Sequence, residues 1–168
     1  MSDKNPIYGR DKILAVRRLK DATTTAGVRL ALQIEHTLNY ERDSEQKQTK
    51  DGPINTDGGL TVTLSLTAVA TKDAVNTLMR QSVIDGDKLE FWEIDLSSGD
   101  GDGEYDALYM RGNLVSWDAP ANVEDTVDIS TEANIDGKPV EGKVTLTEEQ
   151  EEQIQYAFFG LEKVDTVP

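Results

Sequence analysis

The chain has 168 residues with 17 Lys and Arg against 32 Asp and Glu, a formal net charge of −15, and 37% hydrophobic residues, which suits one domain with one core. It has no Cys and one histidine, His36, which excludes disulfides, thiol nucleophiles, cysteine metal sites and any multi-His site within a single chain. The acidic balance argues against an ordinary nucleic-acid binder, which needs a basic footprint. No apolar run approaches the ~20 residues of a membrane span, and Met1-Ser2-Asp3-Lys4-Asn5-Pro6 lacks the apolar stretch of a secretory signal. The expectation is a soluble protein made and kept in a cytoplasm unless an assembly carries it out, with no contact with membranes.

Residues 1–11 read as an N-terminal arm, because Pro6, Ile7 and Tyr8 are too few for a core of their own. From Val28 to Tyr40 apolar residues and His36 fall on even positions and polar ones mostly on odd positions. From Leu60 to Ala70 the even positions are again apolar, facing Thr61, Thr63, Ser65 and Thr67. Period-two alternation of this length predicts two long strands, each burying one face and wetting the other, as in an antiparallel hairpin. Between them Glu41 through Gly59 carries Ile54 as its one apolar side chain besides Pro53, and reads as a long extended loop at the hairpin tip.

A helix is predicted over about 71–84, capped by Thr71 and ended by Gly86. Strands follow at about 88–96 and 105–117, separated by the turn Ser97-Ser98-Gly99-Asp100-Gly101-Asp102-Gly103-Glu104. Another strand is expected from about Val123 to Ile135, with Asp136-Gly137 as a hairpin turn and 138–146 pairing back. Thr147-x-x-Gln150 fits a capping box, so 147–159 reads as a short C-terminal helix, with a short strand as the alternative. The sum is a mainly β chain: an antiparallel sandwich or rolled sheet, one flanking helix and a long hairpin, in a single domain over 1–168.

Catalytic chemistry finds little support. Counting from Asp100, the positions that a helix–loop–helix calcium site fills with Gly and Glu hold Tyr105 and Arg111. His36 sits on an apolar strand face with no Ser or Asp spaced for a catalytic unit. No phosphate-binding glycine loop and no metalloprotease helix occurs. The expectation is a protein that is not an enzyme, with no metal and no cofactor. Trp92 and Trp117 with Tyr109 leave one alternative open, a monomeric carbohydrate-binding β-sandwich.

Charge is uneven along the chain. Residues 1–40 carry seven Lys and Arg and four Asp and Glu, net +3, whereas 41–60 are net −2 and 61–168 net −16. A basic front and an acidic back favour head-to-tail attraction between copies. A long hairpin with one wet face also suits a sheet that continues across subunits, since closure into a multi-chain barrel removes exposed edges.

Several segments, in order, resemble the siphophage major tail protein family, which builds the tube of long non-contractile tails. They are Gly9-Arg10-Asp11-Lys12-Ile13, Leu19-Lys20-Asp21-Ala22, Glu35-His36, Glu41-Arg42-Asp43-Ser44 and Gln48-Thr49-Lys50 with Asp51 to Thr56. Leu60 to Leu66, Phe91-Trp92-Glu93-Ile94, Ile135-Asp136-Gly137 and Thr145 to Gln150 complete the set. The resemblance implies a β-sandwich subunit with a flanking helix, six to a ring, in rings stacked into a hollow tube. That tube passes double-stranded DNA during injection, in a virion assembled in the host cytoplasm. The implied partners are further copies of the chain, a tape measure protein, a tail terminator and a distal tail initiator. A chain of this length would carry no surface-decorating domain after the tube module. A bacterial secretion-tube protein is the neighbouring alternative.

On that reading the 41–59 segment stacks rings through Arg42, Lys47, Lys50, Asp51 and Asp57. The wet hairpin faces line the lumen with Gln33, Glu35, Thr37, Thr61, Thr63 and Ser65, joined by Asp128 and Ser130.

Overall fold

The computed structural model describes residues 5–99 and 103–146. Its strands are β1 (Lys12–Arg18), β2 (Val28–Arg29), β3 (Gln33–Thr49), β4 (Gly52–Val69), β5 (Leu89–Asp95), β6 (Glu104–Asp118), β7 (Asp128–Ile135) and β8 (Val140–Thr145). One α-helix, α1 (Ala74–Asp85), lies between β4 and β5 among the described residues. The strands form one antiparallel sheet in the order β2-β1-β5-β6-β7-β4-β3, with β8 paired to β6 beyond the end of β7.

The sheet rolls until its two ends meet without closing. At the seam the Gln33 side-chain amide stands in for ladder bonds. Its Nε2 donates to the Leu14 carbonyl at 2.9 Å and the Leu30 carbonyl at 2.7 Å, and its Oε1 accepts from the Leu14 N–H at 2.9 Å. His36 Nε2 lies 2.7 Å from Glu93 Oε2, tying β3 to β5 across the same seam.

Alternation decides what the roll encloses. β4 turns Val62, Leu64, Leu66 and Ala68 inward, and β7 turns in Ile129, Thr131, Ala133 and Ile135. They meet Leu14, Val16, Leu30, Leu89, Phe91, Met110 and Leu114, and α1 covers this cluster with Val75 and Met79. Each such apolar side chain contributes about 1.5–3 kcal/mol through burial. A smaller cluster of Ile13, Ala15, Ile94, Tyr105 and Ala107, packed by Trp92 and Val144, lies on the other face of β1, β5 and β6. At Gly112 the strands press so close that a Cβ would overlap the Asn134 carbonyl.

Five expectations are corrected. The stretch Val28 to Tyr40 is not one strand: Leu32 adopts a left-handed φ of 53°, so β2 pairs with β1 and a separate β3 begins at Gln33. The 41–59 segment is not an open loop. It is the distal half of the β3–β4 ladder, closed by a tight turn at Lys50-Asp51, with Gln48 opposite Pro53 and Thr49 opposite Gly52. Both of its faces are wet, so it shows none of the alternation that marks a half-buried strand.

The strand expected from Val123 begins only at Asp128, and Val123 is fully exposed. Asp136-Gly137 does not make a hairpin, although Gly137 has the expected positive φ of 64°. The Asp136 N–H donates to the Arg111 carbonyl at 2.8 Å, so the chain only jogs and β8 continues along β6 in the direction of β7. The cap of α1 is Asp73, whose Oδ1 accepts the Asn76 N–H at 2.9 Å, while the Thr71 hydroxyl accepts from Asn76 Nδ2 at 2.8 Å. Gly86, at φ 72°, ends the helix as expected. The C-terminal helix expected over 147–159 and residues 100–102 of the turn expected over Ser97 to Glu104 fall outside the described residues.

Candidate assembly surfaces

The register assembles the outer surface row by row. Glu35, Thr67, Ser130 and Asp118 lie side by side across β3, β4, β7 and β6. The next row is Thr37, Ser65, Glu132 and Ser116, and the next is Asn39, Thr63, Asn134 and Asn113. Thr61 and Asp128 extend the face at its two ends. All these side chains are exposed or half-exposed, and none is Lys or Arg. Over these three rows the four strands carry carboxylates, hydroxyls and amides and no Lys or Arg, and the first cation on that face of β6 is Arg111, two residues beyond Asn113.

Of the residues expected on a lumen face, Glu35, Thr37, Thr61, Thr63, Ser65, Asp128 and Ser130 lie together here. Gln33 does not. The ladder slips between Gln33, opposite Ala68, and Glu35, opposite Thr67, so Gln33 faces the other side and spends its amide on the seam. Asn39, Thr67, Glu132 and Asn134 were legible by carrying the same parity two to four residues further. Ser116 and Asp118 were not, because the slip between Leu114 and Ser116 reverses the parity of β6.

A second surface is the ribbon formed by Glu41–Thr49 and Gly52–Leu60, which among the described residues pair only with each other and are exposed on both faces. All five residues expected to make ring contacts lie on it. Arg42 and Asp57 are already joined across the ribbon at 2.5 Å, and that hydrogen bond, helped by the Gly59 N–H, holds the Asp57 carboxyl below the usual carboxylate range. Lys47 stands opposite Ile54, and Lys50 and Asp51 form the turn. Among the described residues no strand pairs with the outer edge of β3 along its 17 residues, a length of open edge that folded monomers rarely leave bare.

Trp92 and Tyr109 lie together with ring centroids 5.5 Å apart, but Trp117 does not join them in a shared stacking platform. Trp117 packs on the main core cluster, whereas Trp92 packs on the smaller cluster across the sheet. Trp92 is covered by Arg17, 5.1 Å from its ring, and by Gly27, where a Cβ would come within 2.9 Å of the indole. Beside it Glu90 is buried, accepting from Arg17 Nε at 2.6 Å and from the Tyr109 hydroxyl at 2.5 Å. Burial works against the Glu90 charge, but these hydrogen bonds outweigh it and hold the carboxyl below its usual range.

Residues 6–141 match the family model for the phage tail tube protein. The chain belongs to that family. It is a family of structural virion components and not an enzyme class. The chain is 27% identical over 148 residues to the tail tube protein gp17.1* of Bacillus phage SPP1, covering 87% of this chain and 56% of that protein. The chain therefore spans little more than half the length of that curated relative. It is 24% identical over 164 residues to a putative tail protein of Staphylococcus phage phiMR25, covering 94% and 84% of the two chains. Its fold is similar to the solved SPP1 tail tube, with a TM-score of 0.71 at 24% identity over 89% of this chain and 85% of that one. It is also similar to the tail of a gene transfer agent particle refined with C6 symmetry, with a TM-score of 0.61 at 13% identity over 84% of this chain and all of that one.

Proposed function

We propose that this chain is the wall unit of a phage tail tube. Six copies close into a ring by continuing the sheet from one subunit to the next, and rings stack into a conduit for double-stranded DNA. The observation that carries this reading is the polar face of β3, β4, β7 and β6, where three consecutive rows hold no Lys or Arg. A conduit for DNA must not hold its cargo, and phosphate contacts from Lys and Arg dominate non-specific affinity. Six chains of net charge −15 give 6 × −15, a formal −90 per ring. At physiological salt the repulsion fades over ~8 Å, so it acts near the wall and prevents adhesion. The open β3 edge supports lateral association, and the wet ribbon supports contact between rings. The exposed Ile7 and Tyr8 of the N-terminal arm suit packing on a neighbouring copy. The tape measure protein, a terminator and a distal initiator belong to the same reading as partners.

Negative-stain microscopy of the concentrated protein tests it. Hollow tubes with sixfold rings, which bind no duplex DNA at low salt, are expected. A protein that stays monomeric under light scattering, or tubes that bind duplex with nanomolar affinity, would overturn the proposal. Glu35→Lys/Glu132→Lys tubes are expected to gain salt-sensitive DNA binding.

A further inference from the structure

Beside the seam, an open cleft of about 800 Å³ lies between the start of β1, the β2–β3 connection and the end of β5. Its walls include Arg10, Lys12, Arg29, Leu32, Ile34 and Glu93. Two of these charges are already matched, Lys12 by Asp95 at 3.5 Å and Glu93 by His36 at 2.7 Å. Arg29 is not. Its Nε is buried with no acceptor, and no carboxylate lies within ion-pair distance of it among the described residues. Burial accordingly pushes its pKa down. A guanidinium that is unpaired among the described residues and half withdrawn from water gains when a second copy supplies a counter-charge. Next to it Leu32 and Ile34 are more than half exposed, forming an apolar lip.

The ribbon end has the complementary pattern. Asp51 sits at the turn with its carboxylate in no ion pair among the described residues, and Ile54 is the one large apolar side chain nearby, half exposed. The cleft lies at the first residues of β3 and the turn just past its last. At ~3.3 Å per residue the two are about 50 Å apart along the strand, so a subunit cannot seat its own ribbon end. A contact between two different patches of identical chains passes from copy to copy, and runs on as an open stack when its rotation does not close into a ring.

We infer that the seam cleft receives the ribbon end of a second copy, Arg29 taking the carboxylate of Asp51 and the Leu32–Ile34 lip taking Ile54. This rests on the tube reading and names the surface through which its rings engage. The chain lacks Cys, so a cross-link reads the contact directly. Oxidised tubes of the Leu32→Cys/Ile54→Cys variant are expected to run as a ladder of covalent multimers on a non-reducing gel, and each single variant at most as dimers. Arg29→Glu is expected to raise the concentration needed for assembly at least about tenfold, with Asp51→Arg restoring it in the double variant. Wild-type tubes whose double-cysteine variant stays monomeric on the gel would overturn this docking while leaving the tube reading intact. Arg29→Glu assembling at the wild-type concentration would do the same. Failure of the wild-type chain to form tubes would overturn the tube reading itself.

Discussion

The two halves of the β3–β4 hairpin share strands and an antiparallel ladder, yet they are held by different forces. In the proximal half β4 buries Val62, Leu64, Leu66 and Ala68 and pairs with β7 as well as β3. In the distal half every residue from Glu41 to Leu60 is exposed except the half-exposed Gly52. Backbone hydrogen bonds add only about 0.5–1.5 kcal/mol each once exchange with water is counted, and an isolated two-stranded ribbon is marginal at best. The proximal half is thus a folding element. The distal half inherits its register from the body and gains its burial only when another surface covers it.

The largest expected effects lie under the proximal half. Phe91→Ala, in the centre of the roll, is expected to lower the unfolding free energy by about 3–5 kcal/mol in denaturant melts. A loss near zero would mean that the roll is not the main source of stability.

The Arg17–Glu90 pair comes next, because it anchors the outer face beneath the 19–27 connection through Arg17 Nη1, which donates to the Thr25 carbonyl at 3.1 Å. Arg17→Met leaves Glu90 buried without its cation and is expected to cost about 3 kcal/mol. The pH dependence follows from the same group. The Glu90 pKa is depressed in the folded state, and Glu93 is depressed by its hydrogen bond from His36. Their contribution is complete above the unfolded value of ~4.3 and is lost as pH falls through the lower folded values. Acid melts should therefore steepen below about pH 4.3, and Glu90→Gln should flatten that slope. A slope unchanged in Glu90→Gln would remove Glu90 from the account.

These contrasts also show which parts of the molecule could be read in the sequence. The proximal strands and the helix betray themselves because burial imposes a period on them: Val62, Leu64 and Leu66 recur every second residue, and Val75, Leu78 and Met79 at helical spacing. The ribbon has no buried side, so ERDSEQKQTK looks like a loop, and only the ladder reveals two strands. The polar face was half legible. Parity gave Glu35, Thr37, Thr61, Thr63 and Ser65, but a slip of the ladder turns Gln33 inward, and no local signal announces such a slip. The Asp136-Gly137 pair misleads for a related reason. The dipeptide fixes a left-handed glycine, but whether the chain reverses depends on what its neighbours bond to, here the Arg111 carbonyl.

The smallest expected effect on the subunit isolates the ribbon. Ile54→Ala removes the large apolar side chain nearest the ribbon tip, and since that side chain is half exposed the unfolding free energy should move by no more than about 0.5 kcal/mol. Amides from Glu41 to Leu60 should likewise exchange with solvent well before those from Val62 to Ala68, because opening the ribbon uncovers no core. Deleting residues 45–57 should leave a folded subunit with the melt of the parent and no ability to stack. A deletion variant that unfolds would make the ribbon part of the folding unit, and one that still builds long tubes would leave it without an assembly role. If the melt stays and the tubes go, the distal half contributes little to the monomer and the stacking contact to the tube, which is the division of labour that its exposure implies.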